Sequence, residues 1–373
     1  MIMLENLPKL GYGGMRLPML DNQVDHAALD AIVDEALRHG VNYFDTGYLY
    51  LGGESEKALK SSLVDRYPRD AYIVADKIPA WVVESREDMD EIFAEQQRRT
   101  GLEYFDLYLL HSLEESHMYR YENKSLDFWG WAQSLKEKGL IHHFGFSYHD
   151  TPEMLDDILT AHPEVEFVQL QVNYLDWENP IIHAGRCCEV AHRHNTPIII
   201  MEPVRGGALA SIKPDLEARM KAVAPERSIA SWAMRFCLSL EGVLSILSGM
   251  STLEQLRDNI ATVQYFMQFT EAEKECLAQI TKELLAAPTI GCTACRYCTD
   301  TCPAKIDIPD VISAYNTVLT YGNHDRPHYY YRGLMLRSAA ASSCTKCKKC
   351  ESLCPQHLNI VETLEKASAV FDA

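Results

Sequence analysis

Short apolar runs alternate with longer stretches of helical periodicity from Met1 to about Leu285. The apolar residues Ala28, Leu29, Ile32, Val33, Ala36 and Leu37 recur at helical spacing and predict a helix over Asp25–His39. The same reading places helices at Glu54–Val64, Arg86–Thr100, Leu126–Lys138, Pro152–Ala161, Pro180–His194, Asp215–Leu240 and Leu253–Tyr265. Between them fall β-branched and aromatic runs: Lys9–Tyr12, Asn42–Asp45, Tyr72–Asp76, Phe105–His111, Ile141–Ser147, Phe167–Leu170, Pro197–Met201 and Val243–Leu247. Eight strand–helix units in this length predict a (β/α)8 TIM barrel, for which roughly 250 residues is typical. A doubly wound open sheet is the second choice, disfavoured because no G-x-G-x-x-G follows the first strand.

The pattern changes after Thr270. A polar helix over Glu271–Ala286 leads to Pro288 and Gly291, which divides the chain into a barrel at 1–287 and a smaller, mainly helical domain at 288–373. That second segment repeats itself. Cys292, Cys295, Cys298 and Cys302-Pro303 form C-x₂-C-x₂-C-x₃-C-P, and Cys344, Cys347, Cys350 and Cys354-Pro355 form it again. A helical stretch, Ile308–Leu319, and an aromatic loop, His328–Arg332, separate the copies. In two-cluster ferredoxins the fourth cysteine of each run ligates the other cluster. One [4Fe-4S] cluster is therefore expected on Cys292, Cys295, Cys298 and Cys354, the other on Cys344, Cys347, Cys350 and Cys302. Paired zinc knuckles are the alternative; they use two C-x₂₋₄-C pairs around a longer loop, not three evenly spaced cysteines. The remaining four of the twelve cysteines, Cys187, Cys188, Cys237 and Cys276, lie in helical patterns and read as buried structural thiols.

Composition narrows the partners. A formal charge of −18 would repel a phosphate backbone, so no nucleic acid is expected. No apolar run approaches the roughly 20 residues that span a bilayer, and MIMLENLPKL has no basic region leading into a long apolar segment. The expectation is a cytoplasmic protein with no membrane partner.

The candidate chemistry lies at the ends of successive strands. VNYFDTGYLYLGGESE places Asp45 at the end of strand two and Tyr50 on the following loop; Lys77 ends strand three and His111 strand four. Each has an ordinary reading alone: a turn residue, a surface lysine, a satisfied wall histidine. In a barrel, however, strand ends point at one mouth, so the four would share one small volume. A free phenol, with pKa about 10, is a weak acid near neutrality. A lysine cation beside Tyr50 would lower that value, Asp45 would hold Lys77 charged, and His111 would aim a substrate oxygen at Tyr50. Such a set protonates a carbonyl oxygen while a hydride reaches carbon. None of the four supplies hydride, so a nicotinamide cofactor is required.

FDTGYLY, VADK and DLYLLHS, with GLIHHFGFS, FVQLQVNY and MEPVRGG, resemble the aldo-keto reductases over about Leu10–Phe266. The whole chain resembles the subgroup fused to a C-terminal ferredoxin-like domain. The resemblance implies Asp45, Tyr50, Lys77 and His111 as the catalytic tetrad, and Ser147 and Gln169 as holders of the nicotinamide carboxamide. It puts Ser248, Gly249, Met250, Gln255 and Asn259 at the adenosine end. Tyr148 stands where many relatives carry Asn, and Met201 where they carry the aromatic that stacks on nicotinamide. Arg205-Gly206-Gly207 could approach the pyrophosphate or form a simple tight turn. With Gln255 where a basic residue often meets a 2′-phosphate, the cofactor is NADPH or NADH.

The expected activity is interconversion of an aldehyde or ketone and an alcohol. A hydride carries two electrons and a [4Fe-4S] cluster takes one, so direct exchange needs a mediator, normally a flavin. No flavin-binding signature is present, although a flavin is not excluded. The clusters are expected to exchange electrons with a separate redox protein docked on the small domain, with a structural role close behind. The rival reading is an electron-transfer protein, or a flavin-assisted reductase, in which the barrel no longer performs simple carbonyl reduction. The aromatic loop Ser112–Trp131 could wall an apolar substrate pocket, though the spacing of Phe128 and Trp131 suggests core. Tyr329, Tyr330, Tyr331 and Arg332 are expected to pack, and His142 and His143, at the start of strand five, to be bystanders.

Overall fold

The computed structural model describes residues 3–21, 23–179, 182–286, 289–292, 296–322, 325–335, 338–354 and 356–372. Eight parallel strands close on themselves: β1 Leu10–Gly13, β2 Tyr43–Asp45, β3 Ile73–Pro79, β4 Phe105–Leu113, β5 Ile141–Tyr148, β6 Phe167–Gln171, β7 Ile198–Met201 and β8 Val243–Ser248. Neighbours in sequence are neighbours in the barrel, and β1 closes the ring against β8. A two-stranded antiparallel hairpin, Met19–Leu20 with Gln23–Val24, precedes the first helix.

The helices are α1 His26–Arg38, α2 Glu54–Leu59, α3 Arg86–Thr100, α4 Glu115–Tyr121, α5 Phe128–Glu137, α6 Pro152–Ala161, α7 Ala184–Arg193, α8 Pro214–Val223, α9 Ile229–Leu238 and α10 Leu253–Gln264. Local chemistry sets several of their starts. The Asp25, Thr151 and Thr252 side chains cap α1, α6 and α10, and Ser85 with Asp88 forms a reciprocal capping box on α3. The region expected as one helix over Asp215–Leu240 is two helices, because Pro225 and the polar residues around it interrupt the apolar periodicity. The stretch after β4, read as a loop, contains α4 and the start of α5, where Phe128 and Trp131 are core. Pro180 and Ile181, where a helix was expected to begin, lie outside the described residues; the helix runs over Ala184–Arg193.

Strand alternation sorts side chains between two layers. Tyr43, Ile73, Ala75, Leu107, Leu109, Phe167, Ile199 and Leu247 fill the barrel interior. Phe44, Val74, Tyr108, Phe144, Val168, Ile198 and Ile246 face outward into the core beneath the helices. At Gly145 an added Cβ would stand 2.4 Å from the Phe167 carbonyl oxygen, so the β5–β6 approach requires glycine there.

The chain forms two units, Met1–Val204 with Ser231–Gln268, and Arg205–Ala230 with Phe269–Ala373. The first holds the barrel. The second holds α8, α11 Glu271–Leu285, α12 Tyr297–Asp300, α13 Ile308–Tyr321, α14 Asp325–Leu334, α15 Lys349–Ser352 and α16 Ile360–Phe371. Its core joins Val311, Ile312 and Tyr315 of α13 to Tyr331 and Leu334 of α14 and Ile360 and Leu364 of α16. The segment expected as an aromatic loop is helix α14. Tyr331 is buried, donating to Asp372 (2.8 Å) and accepting from the Ala341 amide (2.6 Å), whereas Tyr329 and Tyr330 are exposed. Residue 287, where the sequence suggested a boundary, lies outside the described residues, as do Cys295 and Pro355. Among the described residues no helix is long and apolar enough to cross a membrane.

Candidate active site

The alternation that fills the interior also aims the polar residues. Asp45 has the parity of Tyr43, Lys77 that of Ala75, His111 that of Leu109, and Gln169 that of Phe167. All four therefore project inward at the carboxyl ends of their strands. β3 continues past Lys77 to Pro79, so Lys77 is a strand residue and fully buried. The Lys77 ammonium donates to Asp45 Oδ1 (2.5 Å), to the Thr46 carbonyl (2.6 Å) and to the Tyr50 phenol oxygen. The Tyr50 and His111 rings meet edge to face at 5.6 Å.

The loop carrying Tyr50 is tied from several sides. Thr46 donates its amide to the Ala75 carbonyl (2.9 Å), and its hydroxyl meets Ser55 Oγ (2.8 Å), which donates to the Gly14 carbonyl. Leu51, Gly52 and Gly53 then all take positive φ, so the chain reverses sharply into α2.

Burial and charge set the protonation states. Burial works against the Lys77 charge, but Asp45 and Tyr50 together outweigh it and hold the lysine above its ordinary value. For Tyr50, burial raises the pKa and Asp45 adds to it; Lys77 pulls downward, the direction expected from sequence, without prevailing. The phenol thus holds its proton at neutral pH. Burial, with Lys77 and the nearby His149 and His117, pushes His111 well below the ordinary histidine value, so its imidazole is neutral. His111 Nδ1 is buried without a hydrogen-bond partner.

Of the residues assigned to the cofactor, Gln169 donates Nε2 to Asp45 Oδ2 (3.0 Å) and pairs in register with Ser147, whose hydroxyl oxygen accepts the Ser112 amide (2.7 Å). Ser248 Oγ accepts from Asn259 Nδ2 (2.9 Å), and the Met250 carbonyl accepts from Tyr12 (3.1 Å). Gly249 has Arg16 beside it. At the start of α10 the Gln255 side chain accepts the Ser251 amide and Thr252 Oγ accepts the Gln255 amide. Arg205 and Gly206 belong to the second unit, where Arg205 donates to the Tyr321 hydroxyl and lies over its ring. Tyr148 is buried and donates to the Thr151 carbonyl, and Met201 is the part-buried last residue of β7.

Two aromatic side chains neighbour His111: Trp81, which escaped the sequence reading, and Tyr121, which lies in the stretch read as a possible pocket wall. Trp81 lies 5.4 Å from the His111 ring and stacks on His117 at 4.6 Å, and Tyr121 donates to the His111 carbonyl at 2.5 Å. The available signal for Trp81 was an aromatic immediately after the Lys77 strand.

In the second unit, Cys302, Cys344, Cys347 and Cys350 line one pocket. The cysteine distant in sequence thus stands with the three close ones. Among the described residues no group of three or more His, Cys, Asp or Glu side chains is placed to hold a metal ion. Cys292 and Cys354 are part-exposed and Cys298 is buried. Cys187, Cys188, Cys237 and Cys276 are buried, and burial raises all four thiols, Cys187 and Cys188 to about 12.

Fold and site define a (β/α)8 oxidoreductase. Residues 9–282 match the aldo/keto reductase family and residues 291–358 match a 4Fe-4S dicluster domain. The chain belongs to the aldo/keto reductase family and carries a C-terminal domain of the dicluster type. It is 26% identical to an uncharacterized oxidoreductase, YqkF, of Bacillus subtilis, over 74% of this chain and 94% of that one. It is 24% identical to an L-galactose dehydrogenase of Arabidopsis thaliana, over 68% and 83%. The fold is shared with the holo form of an aldo-keto reductase from Bacillus halodurans (TM-score 0.59, 23% identity, 73% of this chain and 91% of that one). It is also shared with an aldo-keto reductase from Klebsiella pneumoniae in complex with NADPH (TM-score 0.59, 18% identity, 74% and 91%).

Proposed function

We propose that this oxidoreductase reduces the carbonyl of an aldehyde or ketone to an alcohol, and runs the reverse reaction, with Tyr50 as proton donor and acceptor. The carrying observation is the chain that runs from buried Gln169, Asp45 and Lys77 to part-buried Tyr50, with neutral His111 against the same phenol. Bound NADPH or NADH supplies the hydride, as the complex of the Klebsiella relative suggests. Ser147 and Gln169 suit its carboxamide. Gln169 Nε2 is committed to Asp45, which leaves its carbonyl oxygen to accept, while the Ser147 hydroxyl, already accepting from Ser112, keeps its proton to donate. One acceptor beside one donor complements an amide. Ser248, Gly249, Met250, Gln255 and Asn259 would hold the adenosine end.

Tyr50 holds its proton at rest because burial outweighs the pull of Lys77. As negative charge gathers on the substrate oxygen, the proton moves from Tyr50 Oη to that oxygen. The Lys77 ammonium, kept charged by Asp45, stabilises the phenolate left behind. Neutral His111 donates an N–H to the substrate oxygen and orients it. Trp81 and Tyr121 pack around His111 and restrict its motion.

We further propose two [4Fe-4S] clusters, one on Cys302, Cys344, Cys347 and Cys350, the other on Cys292, Cys295, Cys298 and Cys354, exchanging single electrons with a separate redox protein. Thiolate-ligated clusters and free cysteines suit a reducing, cytoplasmic setting. The domain boundary is proposed near residue 287. The test is anaerobic purification with iron and sulfide analysis, a visible spectrum, and titration with NADPH and NADH followed by aldehyde turnover. Binding of either nucleotide, with turnover that Tyr50→Phe abolishes, supports the proposal; binding of neither refutes it.

A further inference from the structure

Directly behind the candidate site, two acidic side chains face each other away from water. Asp76 precedes Lys77 on β3, so its side chain points outward, toward the helix layer, while Lys77 points into the barrel. Glu56 lies in α2, the helix entered from the Tyr50 loop. Both residues have no exposed surface. Each carboxyl has one oxygen satisfied. Asp76 Oδ1 accepts the Lys77 amide (2.8 Å), and Glu56 Oε2 accepts from Arg99 (2.8 Å). The other two oxygens, Asp76 Oδ2 and Glu56 Oε1, have no donor, and the two carboxyls lie within hydrogen-bond reach of each other.

The groups around the pair supply a single cation to it. Arg99 of α3 binds Glu56, and the Lys77 ammonium is engaged inside the barrel by Asp45, Thr46 and Tyr50. Glu95 of α3 adds negative charge and is occupied by Tyr48 and Arg99. Tyr108 of β4 donates to Gln96, whose amide donates to the Lys77 carbonyl (3.0 Å). Two buried carboxylates facing across a contact with no donor between them would repel; one proton between them satisfies both oxygens. Burial, the largest influence on each, raises both acids, Asp76 well above the ordinary carboxylate range.

We propose that Glu56 and Asp76 share one proton, and that this carboxyl–carboxylate bond is a strut fixing the loop that carries Tyr50 against the strand that carries Lys77. Both are positioning residues. Asp76 also holds the Lys77 amide, and Arg99, while bound to Glu56, donates to the Tyr48 carbonyl on the Tyr50 loop (3.1 Å). The shared proton thus closes a path from β3 through α2 and α3 back to the loop. Its catalytic consequence rests on the reading of Tyr50 and Lys77 given above; the proton itself does not.

The test uses the full chain with Glu56→Gln, Asp76→Asn and the double variant. In either single variant an amide N–H replaces the shared proton while the amide oxygen keeps the original donor. In the double variant two amide nitrogens face each other and one contact is lost. Four results are expected. Infrared spectra at neutral pH show a protonated-carboxyl band in the wild type that either single variant removes. Each single variant keeps kcat for carbonyl reduction near the wild-type value, while the double falls by about tenfold or more. The folding constant of the wild type, relative to Asp76→Asn, falls about tenfold per pH unit above the ordinary carboxylate range, because the folded state holds one more proton than the unfolded chain. Fluorine NMR of fluorotyrosine-labelled protein, with Tyr50 assigned by its loss in Tyr50→Phe, follows the loop without turnover and should shift only in the double variant. Absence of the infrared band overturns the shared proton. A double variant whose rate and Tyr50 resonance match the singles overturns the strut. A wild type that reduces no carbonyl defeats the proposed function, while the infrared, stability and fluorine measurements still decide the pair.

Discussion

Replacing Lys77 by Met removes the centre of the Gln169–Asp45–Lys77–Tyr50 chain and gives the sharpest prediction. The Lys77 side chain is wholly buried, and its ammonium makes contacts at 2.5 Å to Asp45 and 2.6 Å to the Thr46 carbonyl. Without it, Asp45, itself 4% exposed, keeps only the Gln169 amide at 3.0 Å among its charge-stabilising side chains. Breaking a buried pair from one side costs about 3–5 kcal/mol, because a carboxylate remains in a site that no longer neutralises it. Asp45→Asn strands the ammonium instead and falls in the same range. In the double variant, Asn beside Gln169 carries no charge, so the losses do not add; a coupling of about 2–3 kcal/mol is expected. The assay is urea denaturation followed by tryptophan fluorescence. All five tryptophans, Trp81, Trp129, Trp131, Trp177 and Trp232, lie in the barrel unit, so the signal reports that unit. A coupling within about 0.5 kcal/mol of zero would refute the ion-pair argument. Carbonyl reduction by Lys77→Met should fall at least about 10²-fold, the lower end for losing an assisted proton transfer, and retained activity would refute the proposed role.

Because Tyr50 stands above the ordinary tyrosine value, reductive turnover should stay level through neutral pH and decline only above about 10; a decline near neutrality would contradict its assignment as acid. His111 is held neutral, so the folded barrel binds fewer protons there than the unfolded chain and loses stability as pH falls below the ordinary histidine value of 6.5; His111→Asn should remove that share of the acid-side slope in urea melts run from pH 7 to 5. Cys302→Ala should deplete the same cluster as Cys344→Ala, roughly halving the iron per chain in either case and lowering it no further when combined, as iron and sulfide analysis would show. Gly53→Ala should destabilise the barrel by about 1–2 kcal/mol, since φ is +90° there and the new methyl would stand 2.7 Å from the Arg99 guanidinium.

How much of this was legible in the sequence follows from how each feature is encoded. The helices Arg86–Thr100 and Pro152–Ala161 were readable to the residue, because a Ser85 capping box and a Thr151-Pro152 start mark them locally. Helix α14 was not, since a run of three tyrosines is compatible with loop, strand or helix until Tyr331 finds Asp372 and Ala341. The break between α8 and α9 was missed because apolar periodicity resumes on its far side.

The candidate site divides along the same line. Its inward residues were legible because one rule, the two-residue alternation of a strand, carries both the apolar filling and the polar mouth. Once Phe44 and Val74 are assigned to the helix side, Asp45 and Lys77 must enter the barrel. The outward acids obey the same rule with the opposite result, and there the rule is insufficient. Alternation turns Asp76 toward the helices but does not say that Glu56, twenty positions earlier, will meet it, nor that Arg99 will satisfy only one of the two. That meeting depends on α2 following a turn of three positive-φ residues, a backbone path encoded only by Gly52, Gly53 and the space left for Leu51. Candidate catalytic residues can therefore be named from strand ends, whereas the residues proposed to hold them in place emerge only when the helix layer is packed onto the barrel.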